Sequence, residues 1–494
     1  VSAPGPGEGV RHVSLRSGVY ADSVRLMQVS RDVGARDGVT AVLVAMATPL
    51  NVELAAGMGL APDGTPSPDE LLIGIRATDD DALAAAVTAV DTALAERERS
   101  RATADAQPAR TIGAGLDDLD PNTAALAIVS VPGQYAALEA ADAIAAGRSV
   151  LVFSDGVPVE QEVALKRAAR EAGVLVMGPD CGTAIVSGVA LGFANVVRPG
   201  PVGVVAASGT GAQQVSCLLD AAGVGVSHVI GVGGRDLSEA VGGLATLDAL
   251  AALDADPATE RVLVVSKPPA PSVAAEVARV SDGLATPVRS AALSPGTPDL
   301  TAAVEALLAD MGRDVPAWPS RPGPGATAAP GAVLKGLYSG GTLADEAMLI
   351  AAPVLGDVRS NTPLRPELDL GTDLSATGHV VVDFGDDALT VGRAHPMIDP
   401  TLRLEAIARL AASGEAAVLL LDVVLGHGAD PDPATALAPA LREAGLPVVV
   451  ALVGTEADPQ GWSRQADALA AAGAAVYASN AAATRHALDL LGAV

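Results

Sequence analysis

At 494 residues, half of them hydrophobic and only 2% aromatic, the chain is too long for one ordinary core. Its Ala- and Val-rich interior implies small side chains packed between close α/β layers, in about three domains or four if one is small. The formal net charge of −27 excludes a nucleic-acid binder and a protein docked on anionic lipid, both of which need a basic footprint, so any anionic ligand must be held by local donors.

Residues 10–100 read as strand (His12–Tyr20), helix (Ser23–Arg36), strand (Thr40–Thr48), short helix (Asn51–Gly57), strand (Glu70–Ala77) and helix (Asp80–Glu98). This order suits a small α+β domain of ferredoxin-like type over residues 1–105, with the polar stretch 97–123 as a linker. From 124 onward short apolar strands alternate with helical patterns: Ala124–Val131, Val150–Phe153, Val174–Met177, Val202–Ala207, Val226–Gly231 and Val262–Ser266. Doubly wound parallel sheets follow from that alternation. The turn Arg198-Pro199-Gly200-Pro201 divides it into domains 106–200 and 201–320. The Pro/Gly-rich run 316–331 reads as the clearest linker. A further α/β domain, 331–494, has strands Ala332–Tyr338, His379–Phe384, Ala417–Val424, Pro447–Val453 and Ala475–Ala478.

In open α/β sheets ligands bind at the loops after the carboxyl ends of the strands, and two of those loops are built for anions. An apolar run stops at Ser208, Gly209, Thr210 and Gly211, and a helical pattern begins at once. Glycines there admit an anion close to the backbone, hydroxyls add donors, and unpaired N–H groups open the helix. A second copy, Ser339, Gly340, Gly341 and Thr342, precedes a helix whose first turn holds Asp345 and Glu346. The competing reading of each copy is ordinary turn and cap chemistry.

His395 lies in the stiff loop Gly392–Pro400, two residues after Arg393. Arg393 can clamp a carboxylate bidentately while His395 donates to it or moves a proton. The alternative is a loop histidine beside the helix that begins near Asp399. His427, next to Gly426, follows an apolar strand and is either a ligand contact or a surface histidine. Asp383, Asp386 and Asp387 read as a solvated acidic turn or as carboxylates for Mg²⁺. His12, His228, His379 and His486 have no supporting pattern, and Cys217 lies off the apolar stripe of its helix and reads as packing. No P-loop, no dinucleotide glycine fingerprint and no serine elbow is present.

The segments Val131-Pro132, Asp155-Gly156-Val157-Pro158, Gly178-Pro179-Asp180-Cys181, Arg198 to Gly211 and Gly231-Val232-Gly233-Gly234 resemble the succinyl-CoA synthetase α subunit and the nucleotide-diphosphate-forming acyl-CoA synthetases. Residues 376–430 look like the ligase domain of the β subunit. The whole chain, with Ser17–Ser23, Tyr338–Thr342, Gly392–Pro400 and Gly454–Gln460, resembles the FdrA family of fused, acyl-CoA-synthetase-like proteins.

That resemblance implies tandem Rossmann-like and flavodoxin-like ligase domains behind the small α+β domain. It makes Ser208–Gly211, with Gly233 and Gly234, a phosphate or carboxylate pocket. It also places Val131, Pro132, Asp155, Gly156, Pro179 and Cys181 where relatives hold coenzyme A, so CoA is admitted as a ligand. The relatives' active histidine sits in a Gly-His-Ala-Gly loop after the strand near Pro287, whereas Ser290–Leu300 contains no histidine. The first β-α unit with the CoA-gripping glycine loop, and any ATP-grasp portion, are likewise missing.

The expectation is therefore a cytoplasmic, oligomeric FdrA-like enzyme of acyl-phosphate chemistry. It acts on small anionic substrates, with partner subunits and with no nucleotide bound by this chain alone. Some FdrA-family members are implicated in oxamate carbamoyltransferase, which makes carbamoyl transfer between oxalurate and phosphate the most concrete form. Acyl-CoA ligation with a nucleotide-binding partner, and a non-catalytic ligand binder, are the alternatives. The metal requirement stays open.

Overall fold

The computed structural model describes residues 9–19, 23–64, 66–67, 70–102, 109, 111–117, 119, 125–323, 327–371, 373–390 and 394–493, divided between two compact units. In the first, strands Val10–Arg16 and Val39–Met46 flank Leu71–Ala77, antiparallel to both. The central strand is apolar but for Arg76, because each of its faces is covered. Leu71, Ile73 and Ile75 pack with Leu26, Val29 and Val33 of helix Ser23–Gly34 and with Ala86 and Val90 of helix Asp80–Ala102. Leu72 faces the other way, onto Ala55 and Leu60. The α+β order expected from the sequence is the order found. The expected linker is not: helix Asp80–Ala102 continues past residue 97, since Glu-Arg-Glu-Arg-Ser-Arg-Ala contains no breaker. A further helix, Ile112–Asp117, follows in the second unit, its first turn capped by Thr111 Oγ1, which accepts from Ala114 N at 3.1 Å.

Among the described residues the second unit carries three sheets. Leu126–Val129, Ser149–Val152 and Val176–Met177 form a parallel trio. A six-stranded sheet runs Val288–Ala292, Arg261–Ser266, Pro199–Ala206, Val226–Gly231, Thr183–Val186, Val189–Gly192. Its first four strands are parallel, as the alternation requires, but its edge is an antiparallel hairpin. The two-residue turn Ser187-Gly188 has positive φ at both positions (50° and 81°), the geometry that closes such hairpins.

The third sheet has seven strands, in the order Ser320–Arg321, Ala474–Tyr477, Val448–Val453, Ala417–Val424, Val333–Tyr338, Val380–Asp383, Arg359–Ser360. Ser320–Arg321 belongs to the stretch read as a linker. It pairs instead antiparallel with Val476 and Tyr477, while Trp318 Nε1 donates to Glu305 at 2.8 Å.

One hydrophobic core joins the six- and seven-stranded sheets, running from Val204 and Leu263 through helices Gly209–Ala221, Leu300–Asp310, Gly341–Leu355 and Asn480–Leu490 to Val418 and Val449. Helix Gly209–Ala221 shows the consequence. Its sequence predicts an inward stripe of Val215, Leu218, Leu219 and Ala222, yet every residue from Thr210 to Leu219 is buried. Cys217 packs into that core as expected of a small side chain.

Candidate functional site

The strands Pro199–Ala206 and Val333–Tyr338 each hand over to a helix, Gly209–Ala221 and Gly341–Leu355, and the shared core sets the starts of those helices against each other. Ser208 Oγ donates to Thr342 Oγ1 at 2.6 Å and accepts from Gly211 N at 2.9 Å as the helix cap. Thr210 packs so closely on Gly340 that a Cβ there would lie 2.6 Å from its methyl. The two anion-ready loops therefore form one site. The N–H groups of Gly209, Thr210, Gly341 and Thr342 lie in the first turns, where no carbonyl four residues earlier in the helix can accept them.

The structure corrects part of the reading of the second loop. Ser339 N, Ser339 Oγ and Gly340 N all donate to the buried Asp422, at 2.7, 2.9 and 2.9 Å. A carboxylate of the protein thus already fills that half of the cradle, with Arg403 3.5 Å away as its counter-ion. The acidic residues expected in its first turn lie just beyond it, since the helix begins at Gly341, and Glu346 is engaged by the protein: it accepts from Leu300 N and Asn480 Nδ2, both at 2.7 Å, and burial pushes its carboxyl up to about 7.

Positive charge reaches the site from Lys267, a residue that no motif of the sequence singles out. It extends from the end of strand Arg261–Ser266, and its Nζ lies 3.0 Å from Asp345 and 3.2 Å from where a Cβ on Gly341 would stand. Burial works against the ammonium, but Asp345, Asp383 and Asp386 outweigh it and hold Lys267 protonated above the usual range. Asp383 converges on the same point, its Oδ2 2.5 Å from that position. The residue is 5% exposed, so it is no solvated turn, and burial raises its carboxyl to about 7, with Lys267 pulling the other way.

His395 completes the cluster. Its Nε2 lies 2.9 Å from the position a Cβ on Gly385 would take, and its Nδ1 accepts from Met397 N at 3.3 Å. The ring is therefore the tautomer with Nε2–H free to donate. Desolvation, then Arg403, push it down to about 4, so the ring is neutral at physiological pH. Arg393 lies outside the described residues.

The other expected residues gather elsewhere or serve the scaffold. Gly133 abuts Asp155 and Gly156, and Gly233 packs on Pro179 O, so the loops 131–134, 154–158, 178–182 and 231–236 form a second cluster. Behind it Lys166 Nζ bonds Glu162, Asp236 and Val232 O at 2.7, 2.8 and 3.0 Å, and Arg235 pairs with Glu162. Cys181 is buried, its thiol pushed up to about 12 by desolvation. Gly426 and His427 do not open onto a ligand through their amides: Gly426 N donates to Gln460 Oε1 at 3.0 Å and His427 N to Ala194 O at 2.9 Å.

His228 and His379 accept from backbone N–H groups, which explains their lack of a motif. Among the described residues no three His, Cys, Asp or Glu side chains form a metal-holding cluster, and no helix is long and apolar enough to cross a membrane.

Residues 337–490 match the CoA-ligase family model and residues 10–110 match the model described as AllF, heavy metal-associated domain. YahF of Escherichia coli (strain K12) is 36% identical over 95% of this chain and 96% of its own length. The malate–CoA ligase subunit alpha of Methylorubrum extorquens is 32% identical over 31% of this chain and 52% of its own. The succinate–CoA ligase [ADP-forming] subunit alpha 2 of Archaeoglobus fulgidus is 32% identical over 28% and 49%. The chain thus spans about half the length of these ligase subunits. The solved dinucleotide-forming acetyl-coenzyme A synthetase 1 of Ca. Korarchaeum cryptofilum aligns over 78% of this chain and 88% of its own, at 17% identity and a TM-score of 0.30.

Two ligand classes suggested by these names fit the present residues poorly. Soft metals take thiolate ligands, and residues 10–110 contain no cysteine; the one histidine there, His12, is bonded to Ser14. At the loops where a CoA would lie, the cation among the described residues is Arg235, held by Glu162 and Val157 O. It faces Asp155, Asp180 and Asp387, and Asp180 is pushed up to about 7 by desolvation and those two carboxylates. Such a surface disfavours a ligand rich in phosphates.

Proposed function

This chain belongs to the family of E. coli YahF, and from that membership we propose an FdrA-type enzyme with four parts, 1–105, 106–200, 201–320 and 331–494, working by acyl-phosphate chemistry without a nucleotide of its own. The kinship with CoA-ligase proteins supports acyl-phosphate chemistry as the reaction class. The concrete form is carbamoyl transfer: oxalurate and phosphate exchange with oxamate and carbamoyl phosphate.

The observation that carries this reading is the facing pair of helix N-termini with Lys267 between them. Phosphate binds there through the Gly209, Thr210, Gly341 and Thr342 N–H groups, the Thr342 hydroxyl, which Ser208 holds in place by donating to it, and the Lys267 ammonium. These donors are fixed before the reaction, so they stabilise the tetrahedral oxyanion without reorganising. His395 Nε2–H adds a neutral donor, and Arg393 takes the substrate carboxylate. Partner subunits are part of the proposal, since the ligase relatives are themselves subunits.

The test is incubation of the protein, alone and with candidate partners, with carbamoyl phosphate and oxamate but no ATP or CoA. Appearance of phosphate and oxalurate together supports the reading. Their absence, with a CoA thioester formed only when ATP, CoA, a carboxylate and a partner are supplied, moves the assignment to acyl-CoA ligation, the reading favoured by the ligase relatives.

A further inference from the structure

A transfer of this kind moves a proton, and the sequence offers His395 for it. The ring is unsuited: it is neutral and offers an N–H, while its other nitrogen is occupied by Met397 N.

Asp383 is placed differently. It ends strand Val380–Asp383, is 5% exposed, and its Oδ1 accepts from Gly385 N at 2.9 Å. Its Oδ2 accepts no hydrogen bond from a described residue and points at the start of helix Gly341–Leu355, 2.5 Å from the place a Cβ on Gly341 would fill. On a side chain this deeply buried, a carboxylate oxygen with no protein donor is favoured when it holds a proton or meets a ligand. Gly341 has no side chain, and that is what lets this oxygen lie against the start of the helix.

We propose that Asp383 exchanges a proton with the anion bound between the two helix N-termini, Lys267 holding that anion and His395 serving as an N–H donor. This rests on the function proposed above and names its acid–base residue. In the direction from carbamoyl phosphate, the oxamate nitrogen attacks the carbamoyl carbon. The new C–N bond forms, the bond from the carbamoyl carbon to the bridging oxygen breaks with its electron pair leaving on phosphate, and the nitrogen's proton passes to Asp383 Oδ2 and on to the departing phosphate. The reverse direction returns it to the leaving nitrogen.

The charged and titratable groups around Asp383 are Lys267 from the neighbouring strand's loop, Asp345 on the facing helix, Asp422 on strand Ala417–Val424, His395 beside Gly385, and Asp386 on its own loop. With its carboxyl near 7, it is half protonated where such a reaction runs.

The deciding measurement is calorimetric titration with inorganic phosphate at pH 7, in two buffers of different ionisation enthalpy. Wild type should take up about half a proton more per phosphate bound than Asp383→Asn, because the arriving anion drives Asp383 to its protonated form. Equal uptake in the two proteins, or no phosphate binding by wild type, overturns the inference. If Asp383→Asn does not fold, infrared spectra of wild type decide instead: a protonated-carboxyl band that grows on adding phosphate supports the inference, and an unchanged band overturns it. The carbamoyl-transfer assay separates the two levels. Uptake without transfer in wild type refutes the carbamoyl reading and leaves the proton exchange standing. Where transfer occurs, Asp383→Asn should lower kcat by about 10²–10⁴, and an unchanged kcat overturns the assignment of Asp383 alone.

Discussion

Replacing Asp422 by Asn keeps the size of a fully buried side chain but takes away the charge that fills the 339–340 loop. Asp422 accepts three hydrogen bonds from that loop, at 2.7, 2.9 and 2.9 Å. Asn has one accepting oxygen, so at least one N–H comes to face an NH₂ group. An orphaned buried donor costs about 1–3 kcal/mol, and breaking a buried ion pair, here with Arg403 at 3.5 Å, costs about 3–5 kcal/mol.

Burial raises the Asp422 carboxyl above its ordinary value, so neutralising it returns some desolvation energy and the two penalties do not simply add. We expect a net loss of about 3 kcal/mol, read as a lower urea midpoint at unchanged slope. Phosphate affinity should fall as the loop relaxes. In the double variant Asp422→Asn with Arg403→Met, at least about 1 kcal/mol of coupling should reappear. Stability within about 0.5 kcal/mol of wild type, or tighter phosphate binding, would show that the loop donors serve an external anion and that Asp422 merely occupies their place.

Ser208→Ala removes both the cap on Gly211 N and the bond to Thr342; it should cost about 0.5–2 kcal/mol and weaken phosphate binding by calorimetry, whereas unchanged binding would detach this serine from the anion site. Glu346 has its carboxyl raised to about 7 in the fold, so the stability its protonated form confers is complete below about pH 4.5 and is lost as the pH rises through 7, a loss of about 3 kcal/mol. Glu346→Gln should flatten that part of the stability–pH curve, and a parallel curve would disprove the assignment. His395, pushed down to about 4, acts oppositely: the stability of its neutral form is present above about pH 6.5 and drains away toward pH 4, which His395→Gln should abolish in acid melts. Cys181 and Cys217 are buried with raised thiol pKa values, so a thiol reagent at pH 8 should label neither until denaturant is added; rapid labelling of the native protein would contradict the packing.

Much of this was legible in the chain because it is local physics. The strands Val226–Gly231 and Ala417–Val424 are Val-, Ile- and Leu-rich segments with few polar residues, bounded by glycines or polar turns, and the structure returns them residue for residue. Ser208 followed by Gly-Thr-Gly announces a capped helix start before any fold is known, because the cap and the N–H it accepts from are three residues apart. Other features depend on which distant segments meet. Asp422 lies 83 residues from the Ser339 it bonds, and nothing near either says that an anion already sits under that loop. Lys267 and Asp383 look like a proline-flanked lysine and a solvated turn until the burial of both helices sets them around Gly341.

The small-residue α/β layers, the helix starts that offer N–H groups and the acidity that makes such donors necessary can all be read along the chain, because each follows from period, turn chemistry or composition. Folding adds that the two starts face each other, that the protein's own carboxylate takes half of one, and that a buried aspartate and a lysine share the remainder. Contact between residues far apart in the chain, and the loss of water that comes with it, sets those charges, and no local pattern encodes it.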